Sequence, residues 1–121
     1  MAEHPNATRA RAVNAAFKAG DMQALTDAFA DDVVWHEIGS SEPVRGKAAL
    51  ASRASDFEIT TELHDIVAND DHVIALISAT ATRNGKTLEY RTAEIYHMRD
   101  GKITERWAFS DDTAAIIEFF A

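Results

Sequence analysis

Two glutamates carry the chemistry that this chain could do. Glu37 ends the run Val33-Val34-Trp35-His36-Glu37, and Glu94 lies among Leu88, Tyr90, Tyr96 and Met98 on one period-2 face. Each pattern aims its carboxylate at an apolar interior. A carboxylate there is costly unless it is paired, solvated or neutral. Two of them on separate strands point to a pocket and to proton transfer. Glu37 shares parity with Trp35, and a carboxylate desolvated by an indole suits a general base near neutral pH. Glu94 sits mid-strand: kept protonated it would donate to an enolate oxygen, and otherwise it forms an internal ion pair with Arg106 or Arg91 or bonds to a Tyr.

The remaining candidates each have two readings. His64 lies on the polar-patterned side of its strand and reaches a cavity only if a bulge shifts the parity; it is then a proton relay, and otherwise a structural His. Asp111 is either a pocket acid or the cap of the last helix. Trp35, Tyr90, Tyr96, Trp107 and Phe109 read as core and cavity-wall aromatics able to stack on a flat apolar ligand, and Phe17 as a ligand contact from the first helix. The five His form no metal-ligand spacing with a carboxylate, so no metal is expected, nor any other cofactor.

The elements that must position these residues follow from periodicity. Asn6 caps a helix to about Ala19, with Ala10, Val13 and Phe17 in helical spacing; Gly20 stops it and Asp21 caps a second with Met22, Leu25, Ala28 and Phe29 buried. A strand over Val33–Glu37 follows, then a loop from Gly39 to Gly46 and an Ala-rich helix over Lys47–Ala54. From Phe57 the period becomes 2, with Phe57, Ile59, Thr61 and Leu63 on one face. Asn69-Asp70-Asp71 turns into a strand over Val73–Thr82, Asn84-Gly85 into a strand over Leu88–Met98, and Asp100-Gly101 into Ile103–Phe109. Asp111 or Asp112 starts a last helix over Thr113–Phe120. Helices segregated from an antiparallel meander make an α+β domain, in which a curved sheet under helices encloses a pocket.

The 121 residues suit one domain spanning 1–121, and zero Cys excludes disulfides and thiolate chemistry and fits a cytoplasmic location. The N-terminus is polar and lacks a signal-peptide core. No apolar run approaches a membrane span. A net charge of −8 without a basic stripe argues against nucleic acid or an anionic membrane as partner.

Several motifs carry a resemblance. Ala19-Gly20-Asp21, then Leu25 and Phe29-Ala30-Asp31-Asp32-Val33-Val34-Trp35, and later Arg99-Asp100-Gly101-Lys102-Ile103-Thr104-Glu105 with Trp107 and Asp111, resemble the cone-shaped fold of nuclear transport factor 2, ketosteroid isomerases and SnoaL-like polyketide cyclases. The resemblance covers nearly the whole chain. It implies a small apolar or carbonyl-containing ligand and a homodimer through the outer face of the sheet, covering residues such as Ala93 and Ile95. Matched to the isomerases, the general base falls on Glu37 and the protonated oxyanion-hole carboxylate on Glu94, a division of labour that belongs to the resemblance. The isomerases' helix-1 Tyr falls on Val13, and Glu replaces Asp at both carboxylates. The epoxide hydrolase variant is disfavoured because one of its Asp positions falls on Ala108. The cyclases resemble this chain in Trp107 and Asp111, where an Asp serves as acid/base. The fold hosts many activities. Two functions are therefore expected: a cofactor-free isomerase or cyclase working next to a carbonyl, or a dimeric binding module without turnover.

Overall fold

A long curved sheet is built first from two tight hairpins. The computed structural model describes residues 3–51 and 58–121. Asn84 and Gly85 take φ of 53° and 75°, and Asp100 and Gly101 take 52° and 76°. This left-handed pair matches the twist of the flanking strands, which is why the turns join β4 (His72–Arg83), β5 (Lys86–Arg99) and β6 (Lys102–Ser110) without splaying them. Upstream, β3 (Glu58–Ala68) pairs with β4 after a turn in which the Asn69 carboxamide oxygen accepts from the backbone N–H of Asp71 and His72.

The described strands form one sheet in the order β2-β1-β6-β5-β4-β3, with β1 at Phe29–Trp35 and β2 at Val44–Arg45. All neighbours are antiparallel except β1 and β6, which run parallel. The meander from β3 to β6 is antiparallel as expected, and β1 adds to its β6 edge in parallel. The parallel pair arises because β1 belongs to the N-terminal half and reaches the meander across the fold.

The helices α1 (Pro5–Ala19) and α2 (Met22–Ala28) cover one side of the sheet, with α1 against β3 and β4. Gly20 ends α1 at φ 70°, and the Asp21 carboxylate caps α2 by accepting from Ala24 N–H at 3.1 Å. His4, not Asn6, caps α1. Pro5 sits at the first helical position, and the Asn6 amide instead donates to the carbonyls of Asn69 and Asp70, pinning the helix to the β3–β4 turn. The short helix α3 (Lys47–Ala51) lies within the expected Ala-rich helix, whose end at Ala54 is outside the described residues, as is Phe57. At the chain's end α4 (Thr113–Phe120) is capped by Asp112, which accepts from Ala115 N–H at 3.0 Å.

The tightest packing sits at one end of the sheet, where Val33, Val73 and Ile103 are fully buried together with Tyr96, Met98 and Ala7. Further along the same face, β4 points only Ala75, Ile77, Ala79 and Ala81 inward. Three alanines against a helical layer leave space unfilled. That space is the cavity.

Candidate functional site

The cavity has a volume of about 660 Å³, within the usual range for small-molecule sites. Its floor is the inner face of the sheet, its roof α1 and α2, and Ile116 and Phe120 of α4 close one side. Phe17 and Met22 line it while remaining substantially exposed, so they form part of its rim.

Glu37 and Glu94 both line this cavity. Glu37 arrives there by simple alternation. Trp35 points in, His36 points out to Glu105, and Glu37 points in again, half-buried. The chain stays in register past the end of β1 because His36 N–H donates to the Arg106 carbonyl at 2.9 Å.

Glu94 is held by a converging set of donors. Arg106 donates from Nε and Nη2 to Glu94 Oε1 at 3.1 and 3.0 Å, and Tyr96 donates to the same oxygen at 3.4 Å. Thr92 donates to Oε2 at 3.3 Å. The two charged side chains are only 11% (Arg106) and 15% (Glu94) exposed. An oxygen that accepts from a guanidinium and a phenol serves as an acceptor. Of the two readings the sequence left open, the geometry is that of the internal ion pair, with Arg106 and not Arg91 as the partner. The guanidinium also donates from Nη1 to the His36 carbonyl at 2.9 Å and lies over the Trp35 ring at 4.4 Å. Arg106 thus ties β6, β5 and the Glu37 segment together at the cavity wall. The sequence reading had it only as a partner for Glu94.

Both tyrosines line the cavity and keep their protons strongly. Burial pushes the Tyr96 hydroxyl well above the ordinary phenol range, with the Glu94 charge adding to it and Arg106 opposing. Tyr90 is raised for the same reasons in the same order: burial, the Glu94 charge, and Arg106 in opposition.

Three expected site residues lie elsewhere. His64 is exposed and occupies the extra position of a bulge between Leu63 and Asp65, so the parity shift leaves it outside. Asp111 is exposed and accepts from the Arg91 backbone N–H at 3.0 Å, fastening the start of the last turn to β5; it does not line the cavity. Trp107 faces outward, 39% exposed, stacked on His36 with ring centres 3.6 Å apart. Its reversal has one cause. Thr104 is an extra residue in β6, since Met98 pairs with Ile103 while His97 pairs with Glu105. Past that bulge Arg106 and Ala108 turn inward and Trp107 and Phe109 turn outward. No glycine marks the bulge. Among the described residues, no group of three or more His, Asp or Glu is placed to hold a metal ion.

A helix-roofed curved sheet with this interior has known counterparts. The SnoaL-like domain family matches residues 10–106. The chain belongs to that family. An uncharacterized protein of Mycobacterium tuberculosis is 35% identical over 124 residues, covering 88% of this chain and 89% of its own. Among solved structures, Bal32a from a soil-derived mobile gene cassette superposes with a TM-score of 0.83 at 27% identity, over 97% of each chain. IdmH of Streptomyces antibioticus, a candidate polyketide cyclase, superposes with a TM-score of 0.74 over 98% of this chain and 100% of its own; at 23% identity it speaks for the fold. Within this SnoaL-like chain the β5 side of the cavity and the Glu37 segment stand as the sequence places them, while the β6 side differs.

Proposed function

We propose that this SnoaL-like chain takes up a small, mainly apolar, carbonyl-bearing molecule and that Glu37 serves as base in cofactor-free proton transfer beside the carbonyl, as in an isomerisation or an aldol-type cyclisation. The observation that carries the reading is the position of Glu37 in an otherwise largely apolar cavity, beside Trp35 and across from α1. Glu37 is half-buried there, and a C–H bond next to a carbonyl is a fitting target for a carboxylate base. Membership of the SnoaL-like family is compatible with this reaction class.

Hydrogen–deuterium exchange at carbon tests the role. A flat aryl methyl ketone such as acetylnaphthalene, kept in D₂O with the protein, is expected to gain deuterium next to its carbonyl faster than without it. Glu37→Gln is expected to remove that acceleration by roughly 10²-fold or more. Equal exchange rates for the two proteins would leave Glu37 without a catalytic role.

One observation favours a second reading, a binding module without turnover. Glu94 is engaged by Arg106, Tyr96 and Thr92, so it is not held as a free acid opposite Glu37. In that case the ketone binds but does not exchange.

A homodimer through the outer face of the sheet belongs to the same proposal. Val67, Ile74, Ile95 and Trp107 form one row across β3 to β6, with Leu76, Ala93 and Phe109 in the next. Several of these are strongly exposed, Phe109 at 59%. A contiguous apolar surface of this kind is what a two-fold partner covers. No helix among the described residues is long and apolar enough to cross a membrane. A cytoplasmic location belongs to the same proposal, and the cysteine-free sequence is compatible with it.

A further inference from the structure

We propose that the Tyr90 hydroxyl is the donor that receives the ligand's carbonyl oxygen, which makes the preferred ligand a flat apolar ketone carrying an acceptor at the end that lies against β5. The inference rests on the reading of the cavity as a ligand site and goes beyond it by assigning the recognition contact.

Several polar side chains of the cavity are already engaged. Tyr96, Thr92 and Arg106 donate to Glu94. Thr61 donates to the Asn14 side-chain oxygen at 3.3 Å, and Thr26 to the Met22 carbonyl at 2.8 Å. Lys47 lies 3.7 Å from Asp31, and Glu37 has a partner of its own. Tyr90 also lines the cavity, yet its hydroxyl has no hydrogen-bond partner among the described residues. No buried side-chain polar atom among the described residues lacks a partner, so this half-buried phenol opens to the cavity's solvent, where a ligand acceptor can replace water on it.

Tyr90 is four residues before Glu94 on the same face of β5, and its partner across the strand pair is Ala79. The small Ala79 leaves open space beside the ring. The hydroxyl keeps its proton, because burial and the Glu94 charge both oppose ionisation. Val13, on α1, lines the same cavity and offers no donor.

Two probes of one shape separate the possibilities. Acetylnaphthalene presents a carbonyl oxygen; isopropenylnaphthalene replaces that oxygen by a methylene. Their dissociation constants are measured by equilibrium dialysis for the native protein and for Tyr90→Phe. The native preference for the ketone over the hydrocarbon is expected to fall roughly five-fold or more in Tyr90→Phe, the worth of about one hydrogen bond. An unchanged ratio in Tyr90→Phe, with both probes still bound, overturns the assignment while the cavity reading stands. Failure of the native protein to bind either probe overturns both.

Discussion

Arg106 grips Glu94 across the β5–β6 pair with Nη2 3.0 Å from Oε1, and its guanidinium covers the ring of Trp35 at 4.4 Å. One cation thus satisfies a buried anion and packs on an aromatic wall. Removing one partner leaves the other charge buried. Glu94→Ala is expected to destabilise the fold by roughly 3–5 kcal/mol in urea unfolding. The paired replacement of Glu94→Leu with Arg106→Met is expected to cost much less, because no charge is then stranded. If the single and double variants unfold at the same urea concentration, the pair is not the anchor described.

The raised phenols give an alkaline signature. In the unfolded chain tyrosine ionises near pH 10, whereas folding pushes the Tyr96 hydroxyl far above that and also raises Tyr90. The stability tied to these groups is fully present below about pH 10. It falls as the pH rises further, because there the unfolded chain gives up protons that the folded chain keeps. The chain has two Tyr, so native phenolate absorbance at alkaline pH is expected to lag far behind that of the urea-unfolded protein. Tyr96→Phe is expected to flatten the alkaline loss of stability. Coincident native and unfolded titration curves would contradict the burial of both rings.

The outward row on the sheet predicts association. Phe109→Glu places a charge in the middle of an apolar face while removing little packing within one chain, since this side chain is 59% exposed. The native protein is expected to run as a dimer at micromolar concentration by size exclusion with light scattering, and the variant as a monomer. A native monomer would end the proposal.

The contrast between β5 and β6 shows what could be read from the chain. From Leu88 to Tyr96 the β5 ladder has no bulge, so simple alternation aims Tyr90, Glu94 and Tyr96 correctly. On β6 one extra residue, Thr104, reverses everything after it. Trp107 and Phe109 share parity with Ile103 in the sequence yet point the opposite way. Bulges of this kind are set by pairing with a distant strand and need no special residue, so alternation cannot reveal them. His64 fails for a related reason at the β3 bulge. The hairpins, Gly20 and Asp21 were legible because turn and cap chemistry is local. The cap of α1 was not: Asn6 is drawn to carbonyls at Asn69 and Asp70, a contact between distant parts of the chain.

The adjacent aspartates before α4 divide two roles that the sequence left open. Asp112 accepts from the Ala115 N–H at 3.0 Å and so satisfies one of the unpaired donors at the helix start. Asp111 instead accepts from the Arg91 N–H, while its own N–H donates to the Arg91 carbonyl at 3.2 Å. Both are exposed, and neither lines the cavity. Asp112→Ala is expected to cost about 1 kcal/mol, as the loss of a cap does, and to loosen α4, which supplies Ile116 and Phe120 to the cavity wall. Asp111→Asn keeps an acceptor for the Arg91 N–H but cannot exchange a proton as an acid. It is therefore expected to leave both ketone binding and deuterium exchange unchanged, whereas a cyclase-type acid at this position would lose exchange outright. A large fall in exchange for Asp111→Asn with unaltered unfolding would return Asp111 to the chemistry and displace Glu37 as the sole base.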